Sequence, residues 1–305
     1  MEHTQGTSPS RGSFAIVPDG PFSLREAANF GFGPQMARPK PIADTMAMAF
    51  VLDGYTSHAA VFATQHEQVV QADVYGDLDV DIQAVRRQVE RVLSLNHSGA
   101  AWSQVGAGDP VIDRLQARYH GLRPVLFYSP YEAAAWAVIS QRRHRAQAAA
   151  VRQRLSAEHG ATFRLPDGPL EAFPLPEQVL GIAAFAGIEQ RRLDRLHGVA
   201  RAAQQGRLDV MRLLEMRPAD AIADLQQLPG IGPMYAQLIL LRATGVTDVS
   251  TLREPHIARY VQHFYGLDHP PSEAELRRIS ERWRPYRTWT AVLIRVAGDR
   301  ERSVG

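Results

Sequence analysis

The stretch Leu225–Gly245, LQQLPGIGPMYAQLILLRATG, constrains this chain more than any other. The end of an amphipathic helix runs into Leu228-Pro229-Gly230-Ile231-Gly232 and then into a second apolar helix. Pro229 cannot continue a helix, and Gly230 and Gly232 permit backbone angles that other residues avoid, so the turn is sharp. Pro233 suits the first position of the new helix and Gly245 its C-terminal end. Such a turn leaves backbone N–H groups at a helix N-terminus with nothing bulky in front of them. That is a ready site for an anion, and a DNA phosphate is the natural candidate. A plain helical hairpin is the competing reading, because glycine between helices is common in all-α proteins.

A chain of 305 residues can bury a large core and suggests two domains. The net charge is only +2, yet Lys40 is the sole lysine among 34 basic residues. Arginine forks suit phosphates and base edges better than lysine does, although a genomic compositional habit gives the same bias. With no cysteine in the chain, disulfides, cysteine-ligated zinc and cysteine-held iron–sulfur clusters are excluded. No apolar run reaches the roughly 18 residues of a membrane span. The start MEHTQGTSPSRGS lacks a signal-peptide core. The expectation is a soluble cytoplasmic protein.

In chain order, residues 1–20 read as a polar, disordered tail. Ser23 can cap a brief helix over Leu24–Phe30, followed by a loop over Gly31–Pro41. Ala47–Leu52, His58–Thr64 and Gln68–Tyr75 have strand length and patterning, and Val80–Leu93 has helical spacing. A small N-terminal domain with an antiparallel sheet is therefore expected over 21–107. From 108 to 298 only helices are expected: Val111–Tyr119, Pro130–Ser140, Gln147–His159, Pro176–Leu180, Glu189–Gln205, Val210–Met216 and Ala219–Leu228, then the hairpin's second helix, Pro255–Tyr265, Pro271–Trp283 and Thr288–Ala297. The proline-rich residues 164–177 read as a loop and 299–305 as a frayed tail. The fold class is α+β, a sheet domain followed by an all-α domain.

The hairpin LPGIG, a carboxylate (Glu254) at the start of a following helix, the helices YSPYEAAAWAVISQ and FAGIEQRRLDRLHGVARAA, and the final ERWRPYRTWTAVLI together resemble DNA-3-methyladenine glycosylase II, a family of the helix-hairpin-helix DNA glycosylase superfamily. The similarity runs from about Phe22 to Ala297. It implies an enzyme that bends duplex DNA, flips one damaged nucleotide into a pocket and hydrolyses its N-glycosidic bond. A carboxylate would stabilise the oxocarbenium-like sugar. N3- or N7-alkylated purines, already cationic, leave readily. The implied partner is damaged double-stranded DNA and the implied location the nucleoid. No cofactor is implied beyond a monovalent cation at the hairpin, and nothing in the sequence argues for more than a monomer.

The departures from the family fall in the site. Its essential Asp aligns with Glu254, whose extra methylene shifts the carboxylate by about 1 Å, a displacement that can cost roughly 10²-fold in rate. Pocket aromatics align with Met234 and Arg295. Methionine still contacts a base through its sulfur, whereas an arginine repels a cationic base, or pairs with Glu254. Leu238 and Tyr128 are further pocket candidates. The residue wedged into the gap left by the flipped base aligns with Arg142, after Gln141. With Leu228, Gly230, Ile231 and Gly232, these two form the expected DNA contact. Relatives that also nick the strand carry a Schiff-base Lys where this chain has Met234, so the implied activity is monofunctional.

Each assignment has a plainer rival. Glu254 is equally a helix-start charge, and Asp248 is an alternative acid. Arg284 and Arg287 bind phosphate or brace the last helices through carboxylates such as Glu281. Trp283 and Trp289 read as core. His144 and His256 lack metal-ligand spacing. Three functions stand: an alkylation-type glycosylase, a non-cutting reader of distorted DNA, and a helical scaffold, the last disfavoured by the intact hairpin glycines.

Overall fold

The computed structural model describes residues 8–30, 44–249 and 256–302. Four strands, β1 (Gly12–Ile16), β2 (Thr45–Val51), β3 (His58–His66) and β4 (Val69–Gly76), form an antiparallel sheet in the order β1-β4-β3-β2. Alternation along the strands gives the sheet two apolar faces. Met48, Phe50, Val61, Ala63, Ala72 and Val74 belong to one core, and Ala47, Ala49, Ala60 and Tyr75 to another. Against the first face lies α2 (Ile82–Val92), started by the Asp81 carboxylate on the amides of Gln83 and Ala84, with Val85, Val89 and Val92 facing inward. Ser23 caps α1 (Leu24–Ala28) as expected.

Four readings of the sequence require correction. Gly12–Ile16 is no part of a disordered tail; it is β1, paired along its length with β4, and Phe14 and Ile16 are buried. Gly99–Ala107, which carried no helical stripe, is α3, capped by Ser98. The loop assigned to 164–177 contains an antiparallel ribbon of β5 (Thr162–Leu165) and β6 (Gly168–Glu171). The ribbon lays Phe163, Leu165 and Ala172 on the sheet's second face. Proline is tolerated there because a two-stranded ribbon has free edges. The helical part is therefore not all-α. Finally, the last helix, α14 (Arg287–Arg302), runs past Ala297, held by Arg300 to Glu26 at 2.6 Å and by Arg302 to the Tyr260 hydroxyl.

The other helices are α4 (Pro110–Arg118), α5 (Pro130–Ser140), α6 (Arg145–His159), α7 (Pro176–Leu180), α8 (Gln190–Gln204), α9 (Val210–Glu215), α10 (Pro218–Leu225), α11 (Pro233–Ala243), α12 (Ile257–Tyr265) and α13 (Glu273–Glu281). Two large cores organise them. One joins the sheet, residues up to Tyr128 and the C-terminal α12–α14. The other holds α5, α6, α8, α10 and α11. The chain thus returns to its N-terminal sheet after the hairpin, so the two cores do not divide at residue 108. No helix among the described residues is long and apolar enough to cross a membrane.

Candidate nucleic-acid interface

Helix α5 is apolar almost throughout, with Pro130–Ile139 buried, and Ser129 caps its start. Its C-terminal carbonyls, which a helix leaves without internal partners, are taken by one side chain. Arg192 of α8 donates from Nη1 to Val138 O at 2.8 Å, Ile139 O at 3.0 Å and Gln141 O at 2.9 Å. The chain then reverses through Ser140–Arg143, closed by Arg143 N–H to Ser140 O at 3.1 Å. Gln141 has φ −56° and ψ 122° and Arg142 has φ +55°. This is the entry to a type II turn, in which the second corner ordinarily belongs to glycine. Exposed Arg142 occupies it, at a cost of roughly 1–2 kcal/mol for a left-handed non-glycine residue.

Gln141 connects this turn to the hairpin. Its Nε2 donates to Gly230 O at 3.3 Å, and its Oε1 accepts from Arg195 Nη1 at 2.7 Å. Within the hairpin, Leu228 and Ile231 are buried, so their side chains anchor the turn, and the backbone with the exposed Pro229 ring is what remains open to a ligand. Gly230 has φ +89° and lies on Arg195; a Cβ there would stand 2.8 Å from Arg195 Cδ. Gly232 is different. It has φ −86°, begins α11 with no side-chain cap, and a Cβ on it would meet nothing within 4 Å among the described residues. The first helical bond is Ala236 N–H to Gly232 O at 2.9 Å. The amides of Gly232, Met234 and Tyr235 therefore precede the ladder, at the positive end of the helix dipole. For a monovalent cation, the turn carbonyls would be the donors. Leu228 O accepts Ile231 N–H at 3.0 Å and Gly230 O accepts from Gln141, and each retains a second lone pair, so the residues fit such an ion.

Of the expected pocket residues, Met234 is 59% exposed on the first turn of α11, and half-buried Leu238 follows one turn on. The same face continues to Arg242, which the sequence reading did not single out. It is buried, donates from Nη2 to Val125 O at 2.5 Å and lies 5.0 Å over the Phe30 ring. Burial, and then the positive charge of Arg295, lowers its pKa to about 9. Arg295 bonds Asp299 one turn along α14, Nε to Oδ2 at 2.8 Å. Tyr128 packs with Phe50, ring centroids 5.3 Å apart, and its buried hydroxyl has no hydrogen-bond partner among the described residues. Glu254 lies outside the described residues.

The rival acid, Asp248, is committed elsewhere. It accepts from Arg287 Nε at 2.7 Å and Arg284 Nη1 at 2.9 Å, and both arginines also reach Glu281. Arg284 and Arg287 thus brace the last helices, and Trp283 and Trp289 are core. Arg192 and Arg195, the two residues that hold the interface together, were also missed. Their signal was present in the RRLDRL run, where positions three apart share a helix face. Burial, followed by neighbouring Arg143, lowers the Arg192 pKa. Arg143 itself donates to Gly187 O at 2.5 Å.

No protein-family model matches the chain. It is 30% identical over 191 residues to the DNA-3-methyladenine glycosylase 2 of Escherichia coli, spanning 60% of this chain and 63% of that protein, less than two thirds of its length. It is 20% identical over 207 residues to the DNA-3-methyladenine glycosylase of Bacillus subtilis, spanning 67% and 68%. The fold matches that of a 3-methyladenine DNA-glycosylase from Archaeoglobus fulgidus over 96% of this chain and 100% of that one, with TM-score 0.75 and 22% identity. It also matches a Clostridium acetobutylicum 8-oxoguanine glycosylase/lyase in complex with duplex DNA, over 81% and 86%, with TM-score 0.59 and 13% identity. The fold is that of the helix-hairpin-helix DNA glycosylases. Within that fold, the sequence is similar to those of DNA-3-methyladenine glycosylases.

Proposed function

We propose that the protein is a monofunctional DNA glycosylase that hydrolyses the N-glycosidic bond of alkylated or otherwise weakly bonded bases in duplex DNA. The observation that carries this reading is the Gln141 bridge, which ties the exposed, left-handed Arg142 to the open helix N-terminus at Gly232. In this reading the amides ahead of α11 bind a backbone phosphate. A monovalent cation on the turn carbonyls would add positive charge there. Arg142 fills the gap left by the flipped nucleotide, and the α11 face of Met234 and Leu238 meets the extruded base. Glu254, assigned by its position in the sequence motif, stabilises the oxocarbenium-like sugar as the base departs. Met234 carries no amine, so no Schiff base forms and the strand is left unbroken. The relatives' names and the DNA-bound structural neighbour support the same class of activity. The protein would act as a monomer at the nucleoid.

The test is base release from alkylated duplex DNA by the wild type beside Glu254→Gln. Release that falls by at least about 10²-fold in the variant assigns the role to that carboxylate. Unchanged release removes Glu254 from the mechanism. A second reading, a reader of damaged DNA that does not cut, is favoured by the departures from the family's motif at Glu254, Met234 and Arg295. Tight, salt-sensitive binding with no release from any alkylated duplex would select it.

A further inference from the structure

The Ser140–Arg143 turn contradicts its own sequence. Its second corner demands the left-handed region, which glycine enters freely and arginine does not, yet Arg142 stands there with φ +55° and its side chain exposed. Left alone, QRRH after an apolar helix would relax into a right-handed continuation of α5. Two side chains from α8, neither part of the turn, oppose this. Arg192 Nη1 occupies the carbonyls of Val138, Ile139 and Gln141, where the next helical turn would have placed its amides. Arg195 Nη1 holds the Gln141 side chain in the orientation that reaches Gly230 O. On the far side of the corner, Arg143 is fastened to Gly187 O. The residues flanking Arg142 are fixed, and Arg142 projects between them.

We propose that Arg192, seconded by Arg195, is a positioning residue: it terminates α5 and holds the Ser140–Arg143 turn so that Arg142 projects beside the hairpin, ready to enter the gap in a duplex that has lost a stacked base. The proposal rests on the DNA-binding part of the function above, and deepens it by naming what aims the wedge. Arg192 itself touches no base.

The experiment measures the affinity of the full chain for two duplexes identical but for a central tetrahydrofuran abasic site in one. Stacking of a guanidinium in the empty position gives the wild type a preference of roughly tenfold for the abasic duplex. Arg192→Met is expected to reduce that preference to near one, with affinity for the intact duplex within about twofold of wild type, since the phosphate contacts remain. Arg192→Lys, whose ammonium offers three donors to the same carbonyls, is expected to restore most of it. Arg142→Ala abolishes the preference, and adding Arg192→Met to it changes nothing further, the signature of one residue acting through the other. Arg142→Gly supplies a control that folds: it relieves the turn, so the melting temperature holds or rises while the preference disappears. An Arg192→Met protein that keeps the wild-type preference overturns the proposal, as does a further loss on top of Arg142→Ala. A wild type with no preference also overturns it. Base release measured on the same preparations separates the two claims. Preference without release refutes excision and leaves the positioning role; release without preference refutes the positioning role alone.

Discussion

The two hairpin glycines, two residues apart, respond to alanine in opposite ways. At Gly232 the backbone is ordinary, φ −86°, and the added Cβ meets nothing within 4 Å among the described residues. Alanine is a poorer N-cap than glycine by about 1 kcal/mol, and the less flexible unfolded chain offsets roughly 0.4–1 kcal/mol of that. Stability should change by no more than about 0.5 kcal/mol. That empty space is, however, where a phosphate oxygen must come within about 3 Å of the amides opening α11. A methyl group there removes a charge-assisted hydrogen bond worth roughly 1.5–3 kcal/mol, or about 10- to 150-fold in affinity. At Gly230 the φ of +89° strains any other residue, and the Cβ lies 2.8 Å from Arg195 Cδ. Alanine there costs roughly 1–2 kcal/mol in backbone strain and pushes Arg195 off Gln141. Thermal denaturation and fluorescence-anisotropy titrations over a salt series separate the two. Gly232→Ala should melt with the wild type and bind duplex DNA at least about tenfold more weakly, with the slope of log K against log salt little changed because the lost donors are neutral amides and no cation is removed. Gly230→Ala should lose both affinity and several degrees of melting temperature. Wild-type affinity in Gly232→Ala would refute the reasoning, because the open face of the turn would then hold only solvent.

Two further outcomes follow. Borohydride added during reaction with alkylated or abasic duplex should trap no covalent complex, because Met234 has no amine; a trapped adduct would end the monofunctional assignment. His58 is buried and donates to Phe173 O at 2.9 Å, and burial holds its pKa below the ordinary 6.5. The unfolded chain then binds more protons just below pH 6.5, so the stability this group contributes is present above that pH and is lost as pH falls through its folded value. The melting temperature should drop between pH 7.5 and 5, and His58→Gln should flatten that dependence; an equal drop in the variant would place the effect elsewhere.

The hairpin was legible because its signals are local: Pro229, Gly230 and Gly232 punctuate the chain in a way few other structures require, and α5 and α7 occupy the spans their spacing indicates. What escaped was nonlocal. β1 has too few residues to alternate convincingly, and only its pairing with β4 makes it a strand. The ribbon β5–β6 carries Pro169 opposite Arg164, against strand propensity, and is held by burying Phe163 and Leu165 on Ala47 and Ala60. Asp248 and its two arginines lie 36 and 39 positions apart in sequence, so no motif could announce that this acid is neutralised. Arg242 hid as one charge in an apolar helix.

Arg142 escaped for a different reason. The missed strands violate propensity because burial outweighs it. The left-handed Arg142 is exposed, so no burial compensates its strain; the compensation comes from Arg192 on α8, 50 residues away. A strained residue that the fold holds in place without burying it signals function more strongly than a strained residue in a core. Had stability alone shaped the Ser140–Arg143 turn, glycine at its corner would have served better, as it does at Gly230, where the backbone is similarly left-handed and no side chain is needed. The two corners are joined through Gln141, one carrying no side chain so that a phosphate can approach the turn, the other carrying a long cation where only a glycine would sit easily. That contrast, glycine for access and arginine for reach, is what the proposed binding of a duplex with one missing base would use.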